Sequence, residues 1–272
     1  MIEHALPVRP GELARPGSRA APHPALRRFV RGGYAGFAGP HGTQVVLPAT
    51  AAVGLIVKIE DSAHRPPAFL MGAHGRHIVL DGACAPAYLQ VFLRPIAAYT
   101  IVGMPVSELA GQAVDLLDVV DRAGATMLER LRAETSWPRR FHLLDQLLLE
   151  RRRTGPRPAP EVRHAYRLLE STAGAMPVGR VADEIGWSHK HLTAQFTQQI
   201  GLRPKATARL LRFDRVLRAL DSPDRPRWSR IAADAGYTDQ SHLVRDFHLV
   251  TGVAPTEFLA RISGSPPVPA AG

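Results

Sequence analysis

Between Leu26 and about Met104 the apolar positions come in short runs, TQVVLPATAAVGLIVKI, PAFLMG, GRHIVLDG and YLQVFLRP, separated by Gly, Pro and Asp. Runs of that length predict strands of a sandwich or half-barrel, because a turn residue interrupts each before a helical period can develop. After Pro105 the period lengthens. Ser107 is placed to cap a helix, and Leu109, Leu116 and Leu117, followed by Met127, Leu128 and Leu131, predict two or three helices behind the strands. The last begins near Trp137-Pro138 and gathers Phe141, Leu144, Leu147 and Leu148 on one face. Such a face packs on the strands or meets a second copy of the chain. In Glu150 to Glu161, ERRRTGPRPAPE, a basic run meets a glycine and three prolines, which predicts a linker through which neither helix nor strand continues.

Everything beyond that linker has helical period, and a pattern occurs there twice. DEIGWSHKHLTAQFTQQIGLRP, Asp183 to Pro204, is a blurred copy of ADAGYTDQSHLVRDFHLVTGVAP, Ala233 to Pro255. Ala182 aligns with Ala232, Gly186 with Gly236 and Trp187 with Tyr237; after a one-residue insertion Leu192 aligns with Leu243, Phe196 with Phe247 and Gly201 with Gly252. Each copy predicts a helix-turn-helix, at about 178–200 and 228–251. The small Ala182 and Ala232 allow two helices to approach closely, and Gly186 and Gly236 take the left-handed turn that a side chain would penalise. Ser188 and either Thr238 or Asp239 suit the N-cap of the second helix. Leu192 with Phe196, and Leu243 with Phe247, are four apart and share a buried stripe. The opposite face is left polar or small: Ser188, His189, Lys190, Thr193, Ala194 and Thr197 in the first copy, and Asp239, Gln240, Ser241, Val244, Arg245 and His248 in the second. That mixture suits a helix lying in the DNA major groove, whereas a structural bundle would leave the same face merely solvated. Between the copies, Pro204 to Leu220 predicts one long helix, whose arginines 209, 212, 215 and 218 read as a solvated face.

Composition narrows the alternatives. At 272 residues two domains are expected, and a net charge of +10 is compatible with a polyanionic partner. Met1 to Pro24 is rich in Pro and Arg and reads as a loose arm, residues 25–150 as the β-rich domain, 151–161 as the linker, 162–263 as the all-α domain and 264–272 as a disordered tail. The single cysteine, Cys84, forms no internal disulfide and reads as a small buried apolar residue, which agrees with a cytoplasmic protein. No apolar run reaches the ~20 residues of a membrane span. An enzyme or repair protein with a DNA-binding tail is the alternative class. One cysteine cannot supply both a zinc cluster and a nucleophile, and no G-x-S-x-G turn is present, so no catalytic, cofactor or metal residue is assigned. His74 and His77 are too loosely spaced, and lack a carboxylate, for a metal pair.

IAADAGY at Ile231 to Tyr237, DQSHLVRDF at Asp239 to Phe247 and TGVAPTEF at Thr251 to Phe258 resemble the C-terminal signature of AraC-family transcription regulators, over about Val162 to Ile262. The resemblance implies two helix-turn-helix units joined by a long helix and bound to double-stranded DNA at adjacent major-groove segments of a promoter. The first copy departs from the pattern where Ala194 and Gln195 stand in place of the family's frequent arginine. For the N-terminal region the resemblance implies a cupin-like β domain, the place for a small-molecule effector and for homodimer contacts; RNA polymerase is a further partner of such regulators.

Overall fold

A computed structural model of the chain describes residues 17–38, 44–60, 62, 65–81, 86–220 and 227–263. The fold class is α+β in two domains. Six antiparallel strands form the main sheet in the order β1-β2-β7-β4-β5-β8, from β1 (Ser18–Ala20), β2 (Val30–Ala38), β4 (Val53–Lys58), β5 (Ala68–Met71), β7 (Ala87–Leu93) and β8 (Ala113–Asp115). A two-stranded ribbon, β3 (Gln44–Leu47) with β6 (Ile78–Asp81), is tied to the loop after β5 by a bridge between Thr50 and His74. β7 alternates buried and half-buried positions as a period of two demands, with Leu89, Val91 and Leu93 in the core. Helices α1 (Pro95–Val102), α2 (Arg122–Ala133) and α3 (Trp137–Thr154) close this core. The sheet admits α3 closely because β2 carries Gly36, where a Cβ would overlap the Trp137 ring.

Several expectations change. Part of the presumed arm is ordered: β1 pairs with β2, whose edge offers backbone groups that need partners. Residues 1–16 lie outside the described residues, as do Cys84 and the tail 264–272. No helix starts at Ser107. Val106–Leu109 is a short 3-10 turn, and Ala113–Asp115 adds β8 to the free edge of β5. Helix α1 falls where strands were expected; it is apolar all round, with six of its eight residues buried, so its pattern carries no period to distinguish it from a strand. The supposed linker is helical at its start. α3 runs to Thr154, and Arg151 turns its guanidinium onto the carbonyls of Ile101 and Val102, the end of α1. Only Gly155–Ala159 joins the domains, since Pro160 occupies the first turn of α4 (Pro160–Ser171). Phe141, Leu144, Leu147 and Leu148 all lie in the core, which removes them as a face for a second copy.

The all-α domain continues with α5 (Val178–Ile185), α6 (His189–Ile200), α7 (Pro204–Leu220), α8 (Trp228–Asp234), α9 (Gln240–Thr251) and α10 (Pro255–Ser263). It holds two separate cores. Val162, Tyr166, Leu169, Val181, Ala182, Leu192, Phe196, Ile200 and Ala208 make the first; Phe213, Val216, Ile231, Ala232, Tyr237, Leu243, Phe247, Val250 and Phe258 make the second.

Gly36→Ala is expected to cost about 1–3 kcal/mol, the usual penalty for overfilling a packed site, with a lower thermal midpoint and altered Trp137 emission. An unchanged midpoint would mean that α3 does not depend on this close approach.

Candidate nucleic-acid interface

In both copies the turn is built in the same way. Gly186 and Gly236 have φ of +72° and +79°; Trp187 N–H donates to the Ala182 carbonyl at 3.0 Å and Tyr237 N–H to that of Ala232 at 2.9 Å. A left-handed glycine with this bond satisfies the last carbonyls of α5 and α8 and swings the chain into the next helix. Ser188 caps α6, its hydroxyl accepting from His191 N–H at 3.2 Å, and Asp239, rather than Thr238, caps α9, its carboxylate accepting from His242 N–H at 2.7 Å. Ala182, Leu192, Phe196, Ala232, Leu243 and Phe247 are buried between the paired helices.

Burial divides the predicted contact residues. On α9, Gln240, Ser241, Val244 and Arg245 are exposed on one stripe covering the first two turns. The guanidinium of Arg245 lies back along the helix, its Nε–H donating to the Ser241 carbonyl at 3.4 Å. His248, at the far end of that stripe, is exposed but lies 6.1 Å, ring to ring, from His77 of the N-terminal domain. On α6, Ser188, His189 and Lys190 are exposed, whereas Thr193 and Thr197 are half-buried and joined by a 2.6 Å bond from the Thr197 hydroxyl to the Thr193 carbonyl. Ala194 is exposed on the same helix as expected, and so are His191 and Gln198, not chosen from the sequence.

The N-terminal domain holds the rear ends of both helices. Gly201, which ends α6, lies against Val106, and Ile96 of α1 joins the first core. Gly252, which ends α9, lies against the His77 ring; His77 N–H donates to the Leu249 carbonyl at 2.9 Å and Ala49 N–H to that of Val250 at 2.8 Å. From α7, Arg209 donates to the Gly75 carbonyl at 2.8 Å, and Arg212 donates to the Gly174 carbonyl while stacking over Tyr237. These arginines are not a solvated face. No spacing announces this, because their carbonyl partners are brought to them only by the docking of distant loops. Below Arg212, burial first and then the Asp246 carboxylate raise the Tyr237 phenol above its ordinary range.

His74 and His77 do not form a metal pair. The His74 ring is buried with its nitrogens against the Gly72 and Pro48 carbonyls, and that burial holds its pKa below the ordinary value despite the opposing pull of both carbonyls. Among the described residues no three His, Cys, Asp or Glu side chains gather into a metal-binding group.

Residues 181–261 match the family described as "Helix-turn-helix domain". Residues 181–261 of this chain are a helix-turn-helix domain. Residues 18–115 match a domain of unknown function (DUF6597), which begins at β1 and ends at β8. One relative, the uncharacterized HTH-type transcriptional regulator YbfI of Bacillus subtilis, is 30% identical over 89 residues; these are 32% of either chain, so the chain spans about a third of that relative. Among solved structures, an AraC-type DNA-binding domain protein from Chromobacterium violaceum is 21% identical, covering 38% of this chain and 91% of its own, with a TM-score of 0.34. ToxT of Vibrio cholerae is 9% identical over 83% of this chain and 96% of its own, with a TM-score of 0.47. Among the described residues no helix is long and apolar enough to cross a membrane.

Asp239→Ala removes the acceptor for the His242 amide and is expected to cost about 1 kcal/mol. Amide exchange should quicken at the start of α9, where Gln240 and Ser241 lie; unchanged protection of His242 would contradict the cap.

Proposed function

We propose that the chain is a sequence-specific regulator of transcription that lays the front halves of α6 and α9 in two successive major-groove segments of double-stranded DNA. One observation carries this reading: α7 enters both cores, and each core leaves the capped N-terminal half of its second helix bare. At 17 residues α7 is ~25 Å long, a length that suits reading helices about one DNA turn, ~34 Å, apart on one side of the duplex. Helix N-termini also attract phosphates, and Lys190 and Arg245 add cations beside them.

The two helices have unlike stripes, so the two half-sites differ. On α9 Arg245, with Gln240 and Ser241, reads bases, a pair with guanine being the natural partner of a guanidinium. On α6 Ser188, His189 and Lys190 hold the backbone, since Ala194 takes the position of Arg245 and carries no donor. Thr193 and Thr197 support α6 rather than touch DNA, and His248 serves the domain contact with His77.

The N-terminal domain is the place for control by a small molecule. Between the sheet and α1, α3 lies an apolar cavity of about 10 Å³, bordered by Leu55, Leu70, Ile101, Leu147 and Arg151. That volume admits one water-sized group, so an effector has to part α3 from the sheet to enter. A homodimer requires a face other than the Phe141 to Leu148 stripe.

Genomic fragments retained by the purified chain supply the operator, and hydroxyl-radical footprinting tests the geometry. Protection of two groove segments on one face is expected; protection of one would reduce the first copy to a structural role. Arg245→Ala should lose about 1–3 kcal/mol at the preferred site and relax one base pair, while Lys190→Ala should weaken all sequences alike and lower the salt slope by about one contact. The opposite pattern would reverse the roles of the two helices.

A further inference from the structure

α9 carries an apolar group where its own packing gives no reason for one. Its buried stripe is Leu243, Phe247 and Val250, yet Val244 points outward with 36% of its surface exposed. Leu117, at 50%, is the other large apolar side chain that exposed among the described residues. Helix propensity does not select valine either, because a β-branched side chain loses rotamer freedom on a helix. At the aligned position of the first copy stands Thr193, half-buried. The isopropyl group is flanked by Gln240 one turn before it and by Ser241 and Arg245, all exposed and all able to donate hydrogen bonds.

The floor of the major groove is polar apart from one feature, the C5-methyl group of a pyrimidine. An apolar side chain among donors therefore has one complementary group there. Resting on the DNA reading given above, we propose that Val244 forms a subsite for a C5-methylpyrimidine in the second half-site, thymine or 5-methylcytosine, and makes that position methyl-dependent. The stiffness of its χ1 favours the task, since both methyl groups are held in place before contact and little rotamer freedom is lost on binding.

The test uses the full chain and its selected duplex, with binding followed by fluorescence anisotropy. Each thymine in turn is replaced by deoxyuridine, which removes only the methyl group, and each cytosine by 5-methylcytosine. One deoxyuridine position in the second half-site is expected to weaken binding about fourfold, the effect of one methyl group taken out of water. Val244→Ala should weaken the parent duplex by a similar factor and become indifferent to deoxyuridine at that position, with its thermal unfolding unchanged. Val244→Thr, of the same shape with one methyl group fewer, should fall between. A gain from 5-methylcytosine at one cytosine, abolished in Val244→Ala, with no loss at any deoxyuridine, would identify the methylated base as the source. If Val244→Ala keeps the full methyl dependence of the parent chain, or if no methyl group matters to either, the proposal is wrong while the DNA reading stands. If the parent chain binds no duplex, both fail together.

Discussion

Because α7 belongs to two cores at once, neither helix-turn-helix can turn without the other. Ala208 is buried in the first core and Phe213 in the second. Five residues advance a helix by about 7.5 Å and rotate it by about 140°, so the two units hang on nearly opposite faces of one rod. Each exposes the front of its second helix as a result of that arrangement. Without the shared helix, the first unit would keep only its helix pair and α4, and the second only its pair and α10, each a small core to stand alone.

The N-terminal domain adds a second constraint at the other end of the reading helices. Val106 against Gly201, and His77 against Gly252, place one domain on the rear of both, while Arg209 ties α7 to the Gly75 carbonyl. Contacts made through backbone carbonyls of loops are directional and hold register more than they add stability. Ile96 of α1 and Val106 thus lie between the packing of α1 and α3 on the sheet and the helix that carries Lys190.

The repeat made the all-α domain legible from the residues alone. Gly186 and Gly236, Ala182 and Ala232, and the Leu-Phe pairs each have a single economical use, and the structure uses them so. What stayed hidden depends on partners distant in sequence. The edge of β2 recruits Ser18–Ala20, and the end of α1 recruits Arg151, so that α3 runs on past the expected break. Thr193 and Thr197 read as groove-facing because the face opposite a buried stripe defaults to solvent, yet both are half-buried in the folded chain. Helix α1 was invisible for another reason: a segment buried on every side has no polar period to read.

The central claim is that the spacing of the two units is set before DNA arrives. Spin labels at Glu184→Cys on α5 and Ala233→Cys on α8, in a Cys84→Ser background, place one probe on each unit away from the reading stripes. Pulsed electron-electron resonance on the full chain should give one narrow distance distribution that the selected duplex leaves in place. A broad distribution that narrows or moves by several ångströms on binding would contradict it, and would assign the spacing to the DNA rather than to α7.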